Sequence, residues 1–135
     1  MDMIFICSKY RGDIKKNVKA AYDYCRLAVG CEYIPIAPHT IFPNYINDDD
    51  EVERLKGIRM GLELMKRCKA VWVFGVDVSE GMELEIKKAV ELGLPITFYD
   101  LERRRIDHDT IDVDHRLSDR LKEVIRYVDR NSKSD

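Results

Sequence analysis

Two glutamates stand two residues apart in "SEGMELEIKKA" (Ser79–Ala89), just after an apolar run that ends at Gly75. Read as a helix at about 100° per residue, the segment gathers Met82, Ile86, Ala89 and Val90 on one apolar face. Glu85 falls between Leu92 and Ala89, inside that arc, whereas Glu83 lies just outside it, beyond Val90, and should reach water. Helical side chains lean toward the N-terminus, so the Glu85 carboxylate should point back over Gly81. Partly desolvated yet close to free helix N–H dipoles, it could stay ionised and nucleophilic. A carboxylate that merely braces a neighbouring loop has the same spacing.

Ser79 is placed to cap this helix. The same geometry, a hydroxyl beside free N–H groups and Gly81, also makes a small anion site for a phosphate or a sugar hydroxyl. A second polar turn, "SKYRGD" (Ser8–Asp13), carries Arg11, whose fork can grip a phosphate, and Tyr10, which can stack on a base or sugar. Gly12 lets the backbone approach a ligand. His39, in "APHT", could donate to a leaving base or a sugar hydroxyl, or bind a loop carbonyl. No G-K-[ST] phosphate loop and no G-x-G-x-x-G occur, which argues against a dinucleotide site. His108 and His115 lie among aspartates at no metal-site spacing. The cysteines Cys7, Cys25, Cys31 and Cys68 are far apart with no C-x-x-C, so reduced cytosolic thiols are expected.

Positioning these groups falls to alternating apolar runs and amphipathic segments. "MIFIC" (Met3–Cys7), Tyr33–Ala37, Ala70–Gly75 and Pro95–Tyr99 read as strands, with Pro35 favouring an edge for the second. Asp13 should cap a helix to about Ala28 with Ile14, Val18, Ala21 and Cys25 inward. Further helices are expected over Asp50–Arg67 (Val52, Leu55, Ile58, Leu62 and Met65 at helical spacing), Glu80–Leu92 and Arg116–Asp129. The last should turn Leu117, Leu121, Val124, Ile125 and Val128 inward. Asp100–Asp114 is polar and irregular, a candidate flap, and the closing "NSKSD" is expected to fray.

Strands separated by helices imply a mostly parallel, four- to five-stranded, doubly wound α/β sheet of flavodoxin type with helices on both faces. A strand order of 2-1-3-4 puts the switch point between strands 1 and 3, so both polar turns open into one crevice, with His39 on its rim. At 135 residues, 45% hydrophobic and 36% charged, the chain suits one domain over residues 1–135, with a core at 3–99, an irregular segment to 115 and a C-terminal helix. A net charge of -2 argues against a nucleic-acid groove, and no apolar stretch suits a leader or membrane span. A cytoplasmic location is expected.

"ICSKYRGD", "PIAPH" and "VWVFG…SEGMELEIKKA…GLPI" together resemble the nucleoside 2-deoxyribosyltransferase superfamily, which includes the nucleoside 5'-monophosphate N-glycosidases. The resemblance spans about Met3 to Tyr99 and looks closest to small bacterial and phage-type members. It implies cleavage or transfer of the N-glycosidic bond of a (deoxy)nucleoside or its monophosphate, with Glu85 as nucleophile and no metal or organic cofactor. By the same resemblance Ser79 matches a 5'-phosphate-binding serine, Ser8 and Arg11 match the ligand-binding turn, and His39 matches a histidine after strand 2. Gly61 stands where the family places a catalytic aspartate, whose role is then vacant or supplied by Asp48, Asp49, Asp50 or Asp77. A homodimer or larger homo-oligomer is implied as well. The alternative is a nucleotide-binding module of the same fold that has lost the chemistry.

Overall fold

Five consecutive apolar residues, Met3–Cys7, form β1, and Ala70–Phe74 forms β3; in both, the last four residues are buried. Such runs suit strands covered on both faces by helices. The computed structural model describes residues 1–132. Of the tail expected to fray, Asn131 closes the final helix and Ser132 follows it, while Lys133–Asp135 lie outside the described residues.

The remaining strands are β2 (Ile34–Ile36) and β4 (Ile96–Tyr99), and all pairings are parallel in the order β2-β1-β3-β4. The predicted order is the observed one, with four strands among the described residues. Pro35 lies in the edge strand, as a residue without an N–H requires. The helices are α1 (Ile14–Gly30), α2 (Glu51–Met65), α3 (Glu80–Glu91) and α4 (Asp119–Asn131). Each begins on a side-chain cap: Asp13 accepts from the Lys16 N–H, Asp50 from Val52, Ser79 from Met82 and Ser118 from Leu121.

The period-two alternation of the strands divides the core into two layers. Phe5, Cys7, Val71, Val73 and Phe98 point toward Met65 of α2, Met82, Ile86 and Ala89 of α3, and Leu121 and Ile125 of α4. Ile4, Ile6, Trp72, Phe74 and Tyr99 face the other way, onto Tyr24 and Ala28 of α1. On that side one helix covers the sheet, helped by stacked aromatics: Tyr24 on Phe74 at 4.2 Å and Phe74 on Tyr99 at 4.9 Å between ring centres.

Three expectations need correction. The buried face of α1 is Ala21, Tyr24 and Ala28; Ile14 is exposed together with Lys15 and Lys16, so the first turn is not covered by the core. On α2, Val52 and Leu55 are exposed, since the helix turns inward only toward Gly61 and Met65. Residues 100–114 are no free flap. The Asp100 carboxylate, 3% exposed, accepts from the Glu102 and Arg104 N–H groups and pairs with Arg116 at 2.9 Å. Ile106, Ile111 and Leu117 are buried beyond it, and His108–Val113 forms a short 3-10 segment. Leu117 therefore anchors the approach to α4 rather than its first turn.

Candidate active site

The carboxyl ends of β1 and β3 open onto a cavity of about 500 Å³, walled by α2, by α3 and by the loop that follows β2. The topological switch point lies here, where open α/β sheets bind their ligands. Tyr10, Arg11, His39, Ser79, Gly81 and Glu85 all line it, which brings together six residues from three separate stretches of sequence. Ser8 and Gly12 do not line it. Ser8 is buried at the end of β1, and Gly12 takes φ +103 in the exposed turn, a conformation suited to glycine.

Each polar group has a distinct setting. Ser79 caps α3, its Oγ accepting from the Met82 N–H at 3.2 Å while the residue remains open to the cavity. Arg11 is tethered to Asp48 by a 2.8 Å ion pair, so this guanidinium, still more than half exposed, is aimed by the loop after β2. Tyr10 stacks on His39 with ring centres 4.7 Å apart and planes 22° from parallel. Burial pushes the His39 imidazole down to about 4 despite the nearby Asp48 charge, so it is neutral at physiological pH and acts as a neutral donor or acceptor.

Glu85 departs from expectation in its charge. Its Oε1 has less than 1 Å² of accessible surface and no hydrogen-bond partner. Burial raises the carboxyl to about 8, an effect that the neighbouring Cys7 thiol only partly offsets. No α3 N–H donates to Oε1, and the Met82 N–H is already taken by the Ser79 Oγ. In the resting protein Glu85 is thus mostly protonated at pH 7, not ionised. Glu83 projects outward as predicted and pairs with Arg120 of α4 at 2.7 Å.

Three contributors escape sequence reasoning. Arg120 and Arg54 line the cavity, each held by an acid, Glu83 and Glu51 respectively, and the Cys7 thiol acts on Glu85. Asp48, expected only as a candidate for the vacant aspartate role, supplies the counter-charge to Arg11. None has a local motif; each is recruited by a contact across the fold. Part of the lining is apolar, with Pro38, Phe42, Ile58 and Leu62 beside Gly61 and the polar groups above. Among the described residues no cluster of three or more metal-ligating side chains occurs, and no helix is long and apolar enough to cross a membrane.

A family model described as a domain of unknown function (DUF7768) matches residues 2–99, from β1 through β4. No curated protein matches the chain. Among solved structures, a 2-deoxyribosyltransferase from the psychrotolerant bacterium Bacillus psychrosaccharolyticus aligns with a TM-score of 0.57 at 16% identity, over 82% of this chain and 80% of that one. A 2-deoxyribosyltransferase from Leishmania mexicana aligns with a TM-score of 0.55 at 13% identity, over 74% of this chain. The alignment spans 65% of the Leishmania chain, just under two thirds. At these identities the likeness is one of fold: a parallel α/β sheet with helices on both faces.

Proposed function

The chain belongs to the DUF7768 domain family, and we propose that it cleaves or transfers the N-glycosidic bond of a (deoxy)nucleoside or its 5'-monophosphate with Glu85 as nucleophile. The observation that carries this reading is the shielded Glu85 carboxyl, unpartnered at Oε1, on the wall of a ligand-sized cavity at the switch point. A structural carboxylate is normally satisfied by donors; one left without them is held in reserve for something that enters.

On this reading the anomeric carbon lies against Glu85. The carboxyl first gives its proton to solvent. The carboxylate then attacks that carbon through an oxocarbenium-like transition state, while the bond to the base nitrogen breaks. The base leaves with the bonding pair and takes a proton from solvent. Water, or a second base, displaces Glu85 from the same carbon and restores the carboxylate. Ser79 and the first turn of α3, with Arg11 aimed by Asp48, receive a 5'-phosphate. The free face of Tyr10 stacks on the base, and neutral His39 hydrogen-bonds the base or a sugar hydroxyl. Ser8 and Gly12 shape the turn that carries Tyr10 and Arg11. The partner is a small molecule rather than a nucleic acid, and the protein acts in the cytoplasm as a single-domain homodimer or larger homo-oligomer.

Gly61 favours a second reading, a nucleotide-binding module without chemistry. It leaves the wall of α2 bare where the resembled enzymes carry an aspartate. A Cβ there would meet Pro38 Cγ at 3.4 Å, an ordinary contact, so the position is open to a side chain.

A panel of ribo- and deoxynucleosides and their monophosphates, with chromatography for free base, tests both. The expected result is base release that disappears in Glu85→Ala. Release that survives this substitution overturns the nucleophile. Saturable monophosphate binding without release, converted to release by Gly61→Asp, establishes the second reading.

A further inference from the structure

Arginine is out of place in the first turn of a helix, where free N–H groups disfavour a positive charge. Arg120 is the second residue of α4. Two hydrogen bonds fasten the start of α4 to the turn that leads into α3. The Ser118 N–H donates to the Val76 carbonyl at 2.8 Å, and the Ser118 hydroxyl to the Asp77 carboxylate at 2.7 Å. Arg120 is thereby the one residue of α4 to line the cavity, together with Ser79, Glu80 and Gly81 of the α3 N-terminus. Gly81 leaves that first turn bare: a Cβ there would meet only the Ser79 Oγ, at 4.0 Å.

The cavity has three arginines, and they are not equivalent. Arg11 and Arg54 hold their acids through a terminal nitrogen. Arg120 holds Glu83 through Nε alone, at 2.7 Å, and its two terminal nitrogens make no hydrogen bond among the described residues. A guanidinium anchored in this way presents the end-on fork that matches two oxygens of a phosphate. The sequence around the Ser79 cap is otherwise acidic, with Asp77, Glu80 and Glu83, all of which oppose an incoming dianion. Arg120 neutralises one of these acids and still has donors to offer. The Glu85 Oε1, unpartnered on the same cavity wall, is an independent sign that a ligand enters.

We propose that Arg120 is the specificity-determining residue for the 5'-phosphate: tethered through Nε to Glu83, it turns its terminal nitrogens to two phosphate oxygens at the Ser79 end of α3, so that the cavity prefers nucleotides to nucleosides. No covalent bond forms or breaks in this contact. This role rests on the cavity being the nucleotide site proposed above, but phosphate binding reports it with or without turnover.

Calorimetric titration of the full chain with nucleoside 5'-monophosphates and the matching nucleosides tests it. Arg120→Gln should weaken monophosphate binding, relative to that of the nucleoside, by about tenfold or more. Glu83→Gln removes the same ion pair but keeps the cation, and its amide oxygen still accepts from the Nε–H. It should not weaken monophosphate binding. Equal weakening in both variants would make Arg120 a brace between α3 and α4 and overturn the proposal. So would a wild type that binds monophosphate no better than nucleoside. A second measurement needs no arginine variant. The arginine Nε–H nitrogen-NMR signal that Glu83→Gln shifts should also move when inorganic phosphate is added to the wild type, and a signal that stays put overturns the role. Monophosphate bound without base release removes the proposed activity and leaves Arg120 in place; monophosphate cleavage indifferent to Arg120→Gln does the reverse.

Discussion

Replacing Glu85 by glutamine should stabilise the fold by an amount that depends on pH. Burial carries this carboxyl from an ordinary 4.5 to about 8. Between those values the unfolded chain releases a proton that the folded chain keeps, so stability falls with rising pH by about 1.4 kcal/mol per pH unit. The direction follows from a folded value raised above the unfolded one: the full contribution is present below 4.5 and is lost as pH climbs through about 8. The loss amounts to about 3 kcal/mol at pH 7 and levels off near 5 kcal/mol above pH 8. Glutamine matches the protonated acid in shape and never ionises. The difference between variant and wild type therefore isolates this group from every other carboxylate in the chain. Urea unfolding at pH 4.5, 6, 7 and 8.5 measures it. The two proteins should be nearly equal at the lowest pH and separate steadily above it, with a gap at pH 7 of about 3 kcal/mol in unfolding free energy. A gap of constant size across the range refutes the placement of Glu85 as a buried, protonated acid.

His39 should show no titration in its imidazole proton resonances from pH 5.5 upward, because burial holds it near 4; an inflection between 6 and 7 would mean that water reaches the ring and that it is no fixed neutral donor. Ser79→Ala should cost about 1 kcal/mol in stability through the lost cap on α3. It should also raise KM for a monophosphate substrate while leaving the corresponding nucleoside unaffected, and equal effects on both would remove the phosphate role.

The parts of the fold that were legible are those set by local pattern. Buried five-residue runs separated by amphipathic helices admit few topologies, and the strand order follows once crossovers are right-handed. Angular position alone separated Glu85 from Glu83, because a helical wheel depends on nothing outside the helix. The ionisation of Glu85 was not legible, since it depends on how far the elements packed around it desolvate the carboxyl. For the same reason the role of Arg120 and the pairing of Asp48 with Arg11 had no sequence signal: each acts through a partner 37 residues away, Glu83 and Arg11. Helix faces were misjudged where a turn is not covered by the core, as at Ile14 and Val52, because amphipathic spacing fixes an angle and not how far the covered surface extends. Asp100–Asp114 looked irregular for want of periodicity, but what fastens it is a buried aspartate and one arginine, a contact without a sequence signature.

The division of the core into two layers also gives the molecule a built-in optical gauge. Trp72, the only tryptophan, is 8% exposed on the α1 side, edge-on to Tyr33 and tilted against Tyr99 at 5.3 Å. The sheet stands between it and the helices that wall the cavity. Its emission therefore monitors the integrity of the single-helix layer, and a molecule bound beside Glu85 cannot quench the indole by touching it. Any change in that light on adding a nucleotide would be a signal transmitted through β3 itself.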